Sequence, residues 1–178
     1  MTEAEIIKGC VRKNVCCQRL LFDAYAGRLM TVCLRYACDT PEAEDMLQES
    51  FVRIFDAVDQ YRFEGSFEGW LKKITVNVCL KILQKKRIKF TETSSLELVA
   101  TAAEPQAVSS LSENELIKMI STLPDGYRIV FNLYVMEGYS HDEIASMLNI
   151  ETVTSRSQLL KARRLLQKQI LLHQKIAI

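Results

Sequence analysis

Thr154, Ser157, Gln158, Lys161 and Arg164 recur at intervals of three and four residues, so a helix would gather them on one continuous face. Two hydroxyls, an amide and two cations are a recognition set, not a catalytic one. Hydroxyls and amides exchange hydrogen bonds with base edges, and cations meet phosphates. A second group, Tyr61, Phe63, Phe67 and Trp70, lies in "YRFEGSFEGW", directly before the basic run "LKKITVNVCLKILQKKR". Aromatic faces beside cations hold unstacked bases, at about 1–3 kcal/mol for each base stacked. Phe67 is expected to anchor the core, with Trp70 shared between core and surface. The third group is acidic. Asp45, Glu49, Asp56 and Asp59 fall within about 80° of one another on a helix, with Gln48 beside them.

The elements that must position these groups can be read from the same rows. Ser140 and Glu143 form an S-x-x-E capping box, which starts a helix at Ser140. Ile144, Ala145 and Leu148 face its core. A turn follows at Asn149–Glu151, where asparagine tolerates the left-handed conformation. The last helix begins near Thr152, with Leu159, Ala162, Leu166 and Ile170 as its apolar stripe. A short capped helix, a tight turn and a basic helix make a helix-turn-helix. Hydroxyls and an amide near the start of that last helix suit base edges, and the bases further along suit phosphates.

In the first half three or four helices are expected, of which the first placed is a long amphipathic one over 13–38. The next starts at "DTPEAED", with Thr40 as N-cap and Pro41 in the first helical position. It runs to about Gln60, and Leu47, Phe51, Ile54, Phe55 and Val58 are its apolar stripe. A third helix runs from after Ser66 to about Lys86. Three prolines and six glycines are few, which suits helices. The expected fold is all-α: two small helical domains, 1–86 and 111–178, joined by a flexible Ser/Thr/Ala-rich linker over 87–110. Fully extended, that linker reaches about 75 Å, or two turns of duplex at about 34–36 Å each.

Charge comes in blocks. Residues 61–90 carry eight bases against two acids, and 151–178 carry six bases against one acid. Residues 1–60 carry ten acids against seven bases, and 91–150 nine acids against two bases. Two basic blocks separated by acidic ones indicate two polyanion-facing surfaces, with the acidic blocks left as solvated faces or as surfaces for a basic protein. All six cysteines lie in the first half, without a CxxC pair. They read as reduced thiols, mostly buried small hydrophobes, with a redox role for the vicinal Cys16–Cys17 as the other reading. No zinc site, metal or cofactor is expected. No run of 18 apolar residues and no signal peptide is found, so neither membrane insertion nor export is expected.

Taken together, these residues resemble a bacterial RNA polymerase sigma factor of the extracytoplasmic-function (ECF) group, over about residues 18–170. "PEAEDMLQESFVRIFDAVDQYRFEGSFEGWLKKITVNVCLKIL" is similar to sigma region two, with its D-x-x-Q-E-x-F and F-x-x-W-L-x-x-I-x-x-N patterns. "LPDGYRIVFNLYVMEGYSHDEIASMLNIETVTSRSQLLKARRLL" is similar to sigma region four. The form "TSRSQLLKARRLLQ" is close to that of Bacteroidetes members. The resemblance implies that Asp45, Gln48 and Glu49, with Asp56 on the same stripe, dock on the clamp coiled-coil of the polymerase β′ subunit. It implies that Arg62, Phe63, Ser66, Trp70, Lys73, Asn77 and Lys81 melt and read the −10 element. It implies that Thr154, Arg156, Ser157, Gln158, Lys161 and Arg164 read the −35 element. The linker would thread through the polymerase, the second domain would meet the β flap, and an anti-sigma factor would be a further partner. The chain would be cytoplasmic, held at the inner membrane when that partner is membrane-linked. Val153 stands where many relatives have glycine, and His141 where an aromatic is common.

Two other classes fit the residues less well. A helix-turn-helix regulator acting without a polymerase would need neither the aromatic–basic block nor the acidic stripe. An enzyme finds no support: there is no Walker loop, HExxH or Rossmann fingerprint, and His141 and His173 are the sole histidines.

Overall fold

The computed structural model describes residues 1–90 and 112–176, and every described element is helical. The chain divides into two compact units, Met1–Lys89 and Phe90–Ile178.

The first unit is a four-helix bundle. Helix α1 spans Glu3–Val11, α2 Val15–Tyr36, α3 Thr40–Ala57 and α4 Phe67–Phe90, with a single 3-10 turn at Val58–Gln60 between α3 and α4. Apolar faces close a core of Ile7, Cys10, Leu21, Leu29, Phe51, Ile54, Val58, Phe67 and Leu71. Each such side chain, fully buried, contributes about 1.5–3 kcal/mol. Of the expected stripe of α3, Phe51, Ile54 and Val58 are buried, while Leu47 and Phe55 pack at the margin. The N-cap of α3 is Asp39, not Thr40: its carboxylate accepts the Glu42 N–H at 2.8 Å from an extended backbone. Asp and Thr are both good caps, and Pro41 falls in the first turn with either choice. Glu42 then accepts the Cys38 N–H at 2.8 Å and pairs with Lys86, tying α4 to the start of α3.

Helix α1 is the fourth helix, which the sequence allowed but did not place. Its signal is Thr2-x-x-Glu5, a capping box formed in full, but only Ile7 and Cys10 are buried on it, too few to give a visible period. Helix α4 continues to Phe90, four residues into the stretch read as linker; residues 91–110 of that stretch lie outside the described residues. Four cysteines, Cys10, Cys17, Cys33 and Cys79, are buried, and Cys16 and Cys38 are exposed. Contact with the Cys33 thiol, with burial second, pushes the Cys79 thiol far up, so it is an inert apolar group rather than a nucleophile.

The second unit contains α5 Glu113–Ser121, α6 Asp125–Phe131 continuing into a π-helical turn Asn132–Met136, α7 His141–Leu148 and α8 Thr152–Ile176. Capping boxes start α5 (Ser112 with Glu115) and α7 (Ser140 with Glu143). Arg128 is 1% exposed. Its guanidinium donates to the carbonyls of Ser121 (2.8 Å) and Leu123 (3.0 Å) at the end of α5, and to Asp125 (2.6 Å). A buried guanidinium is tolerable because its donors are filled.

Candidate nucleic-acid interface

The turn between α7 and α8 has the expected form. Asn149 adopts φ 52°, ψ 53°, and its N–H bonds the Ala145 carbonyl. Two consecutive residues at the start of α7 then grip the first turn of α8. Asp142 accepts from the Thr152 hydroxyl at 3.0 Å, and His141 Nδ1 lies 2.9 Å from the hydroxyl of fully buried Ser155. The imidazole stacks on Tyr134, ring centroids 4.5 Å apart at 22°. An aromatic role is therefore kept at this position, with a hydrogen bond added. Burial first, then the charges of Arg156 and Arg163, depress the pKa of His141, with Asp142 opposing.

Leu159 and Ala162 are buried and Leu166 and Ile170 half-buried, as the apolar stripe required. On the opposite arc Ser157 and Lys161 are exposed, and Thr154, Gln158 and Arg164 half-buried. The amide of Gln158 lies against Gly126, so close that a Cβ there would sit 3.3 Å from it. Lys161 Nζ sits 5.8 Å from the Tyr127 ring centroid, where a cation is stabilised by the ring face. Arg156 is exposed but stands about 160° around the helix from Thr154, on the side where its charge reaches His141. The reading face and Arg156 are thus not one surface. Val153 is 74% exposed, an apolar projection on the leading turn.

In the first unit the loop 61–66 is held from within. The Tyr61 hydroxyl donates to the Gly65 carbonyl at 2.9 Å, and Ser66 accepts the Gly69 N–H at 3.3 Å to open α4. Phe67 is buried, as expected, with Trp70 stacked on it at 5.8 Å and 14°. Tyr25 meets Phe67 edge-on at 5.8 Å. Its phenol donates to Glu3, and burial, with that contact second, pushes its pKa up to about 12. Phe63 stands apart: it is 54% exposed, 5.1 Å from Tyr61, and its φ is +59°. A left-handed backbone costs a non-glycine residue about 1–2 kcal/mol.

Ser66, Trp70, Lys73, Asn77 and Lys81 lie within about 80° of one another around α4, and Lys73, Asn77 and Lys81 are exposed. Arg62 is exposed on the loop above them. Glu68 bridges Arg28 (2.5 Å) and Lys72 (2.8 Å), and Lys72 foremost holds its carboxyl below the usual range. Lys72 and Lys86 are therefore held in internal pairs, whereas Lys73 and Lys81 on the stripe form no ion pair among the described residues.

The acidic face forms on α3 from Asp45 to Asp56, while Asp59, expected on the same helix, lies on the 3-10 turn that follows it. Asp45, Gln48, Asp56 and Asp59 are exposed, and half-buried Glu49 accepts from Arg53 at 3.0 Å. The residue missed there is Val52, 53% exposed at the centre of the stripe. Phe22 of α2, 38% exposed, packs nearby on Phe51 at 4.6 Å. An apolar centre with an acidic rim suits a partner that is basic around a hydrophobic contact. Among the described residues no cluster suited to a metal ion occurs, and no helix is long and apolar enough to cross a membrane.

Residues 21–88 match the family described as Sigma-70 region 2, and residues 113–166 the one described as Sigma-70, region 4. The chain is 31% identical over 162 residues to the ECF RNA polymerase sigma factor SigW of Bacillus subtilis, covering 84% of this chain and 87% of that one. It is 29% identical over 154 residues to the ECF RNA polymerase sigma factor SigE of Mycolicibacterium smegmatis, covering 84% and 60% respectively. Among solved structures it resembles the sigma factor RpoE of Bartonella quintana, crystallised with the anti-sigma factor NepR, at a TM-score of 0.51 and 19% identity, covering 86% of this chain and 95% of that one.

Proposed function

The chain belongs to the sigma-70 family, in its ECF group, and from that premise we propose a division of labour between its two units. Seated on core RNA polymerase, the second unit binds the −35 element as duplex and the first captures the −10 strand once it is parted. Thr154, Ser157, Gln158 and Lys161 contact base edges and the phosphates beside them, while Arg164 and Arg156 meet backbone on either side. Phe63 and Trp70 offer faces to unstacked bases, and Arg62, Lys73, Asn77 and Lys81 track the backbone of the displaced strand. The observation that carries this reading is Phe63, an exposed aromatic in a strained backbone on the loop that leads into the helix bearing the cationic stripe.

Energetics explain why the chain needs its polymerase. Opening duplex costs about 1.4 kcal/mol per step, and one or two captured bases return about 1–3 kcal/mol each. A bubble of many base pairs requires the larger enzyme to hold the rest. The acidic stripe, with Val52 at its centre, is the proposed seat on the β′ clamp coiled-coil, and the second unit meets the β flap. The role is one of specificity, with no bond-making residue assigned to this chain. The Bartonella relative was crystallised with an anti-sigma factor; a comparable partner here would silence the chain by covering the polymerase-facing stripe. The test is transcription by core polymerase on a promoter panel, with and without the chain. Promoter-specific transcripts appear only with it. Equal transcription without it, together with tight operator binding by the free chain, would favour a stand-alone regulator.

A further inference from the structure

Among the described residues, the corner between α1 and α2 gathers positive charge that forms no ion pair, apart from the α4 stripe. Residues 6–22 contain four bases, Lys8, Arg12, Lys13 and Arg19, and no acid. Of the neighbouring acids, Glu3 is engaged by Tyr25, Glu5 chiefly by the Thr2 N–H at 2.7 Å with Lys8 a weaker influence, and Asp23 by Arg19, which leaves Arg12 and Lys13 with no acid partner among the described residues. Lys8, Arg12 and Lys13 are exposed and form no ion pair among the described residues. One base at the end of α1 is explained by the negative end of the helix dipole, but not three. Nor does it explain Lys13, which closes the turn at φ +58°, donating to the Cys10 carbonyl at 2.9 Å. Glycine is the usual residue at a left-handed helix stop and would avoid the strain.

We propose that Lys8, Arg12 and Lys13 form a phosphate-binding corner that grips duplex DNA next to the melted segment. The proposal rests on the reading that this unit faces promoter DNA. Geometry places the corner suitably. From Val15 to Tyr25 is ten residues of α2, about 15 Å at 1.5 Å per residue, and Tyr25 touches Phe67 at the mouth of the −10 loop. That distance is roughly four base-pair steps at about 3.4 Å each. Helix α1 also packs on the 3-10 turn 58–60 that leads into the loop, so corner and loop move together. A lipid surface would demand a broad apolar helix face to insert; Ile7 and Cys10 of α1 are buried in the unit, and Val11 and Val15, exposed at the turn, are two small side chains rather than such a face.

The test uses the full chain and a mixed-sequence duplex of about 30 base pairs, titrated across about 50–200 mM salt. The variant carries Lys8→Gln, Arg12→Gln and Lys13→Gly. Each lost phosphate contact lowers the salt slope by about 0.9, so a fall of about 2–3 is expected. Lys13→Gly alone should lower the slope by about 0.9 without lowering Tm, since it relieves the left-handed strain; a purely structural role would move Tm and leave the slope. An unchanged slope overturns the proposal. If the slope falls for Lys161→Ala but not for the corner variant, the −35 reading survives and the corner fails. Loss of binding to phosphatidylglycerol vesicles with an unchanged DNA slope would assign the corner to lipid and overturn it equally.

Discussion

Replacing Phe63 by glycine separates the stability of the −10 loop from its work. Phe63 sits at φ +59°, and glycine removes the left-handed cost of about 1–2 kcal/mol. Against this, the ring contact with Tyr61 at 5.1 Å is lost, about 0.5–1.5 kcal/mol. The freer unfolded chain costs about 0.5–1 kcal/mol more. The opposing contributions nearly cancel, so folding stability should change by no more than about 1.5 kcal/mol. Strand capture has no such compensation. Losing one stacked base removes about 1–3 kcal/mol, a weakening of roughly 5- to 150-fold. The assay is thermal melting of the chain, paired with binding of the chain–polymerase complex to a promoter fragment whose −10 strand is exposed. Near-constant Tm with weakened capture is expected. Unchanged capture, or a loss no larger than the measured destabilisation, would refute the stacking role.

Reversing charge with Asp45→Lys and Glu49→Lys should abolish binding to core polymerase in a pull-down while circular dichroism stays unchanged, because breaking the exposed Glu49–Arg53 pair costs under about 1 kcal/mol. Lys161→Ala should flatten the salt dependence of duplex −35 binding by about 0.9 in slope; an unaltered slope would remove it from the phosphate contacts. Asn149→Val should destabilise the second unit by about 1–2 kcal/mol or more, with Asn149→Gly near neutral, since only the former opposes φ 52°; melting curves read the difference. His141 is held below its ordinary pKa, so the unfolded chain takes up the proton first. Stability from this site is therefore intact above about pH 6.5 and falls as pH drops from there through the lowered folded value. His141→Gln should flatten the Tm profile between about pH 5 and 7.

The helix-turn-helix was legible because its parts are local: a capping box at Ser140, a turn asparagine, an apolar stripe at fixed spacing. The acidic stripe was legible for the same reason. What escaped depends on contacts across the fold. Arg128 reads as a surface base, and only the converging end of α5 shows why it is buried. Val52 is one apolar residue on a polar face, which no period marks as central. The left-handed turns at Lys13 and Phe63 are invisible because neither residue type advertises them. Arg156 entered the −35 set through the family resemblance, and helical rotation sets it about 160° from Thr154. The cap of α3 moved by one residue because two good capping side chains stand in succession.

The division of labour is tested most directly by comparing two templates in one experiment. The chain is assembled with core polymerase and offered, at a low temperature that keeps duplex closed, a fully duplex promoter and the same promoter with its −10 strand exposed. Lys161→Ala and Ser157→Ala should weaken both templates alike, whereas Phe63→Gly and Trp70→Ala should weaken only the one with the exposed strand. If the two pairs of variants behaved the same way on both templates, the assignment of one unit to paired DNA and the other to the parted strand would be wrong.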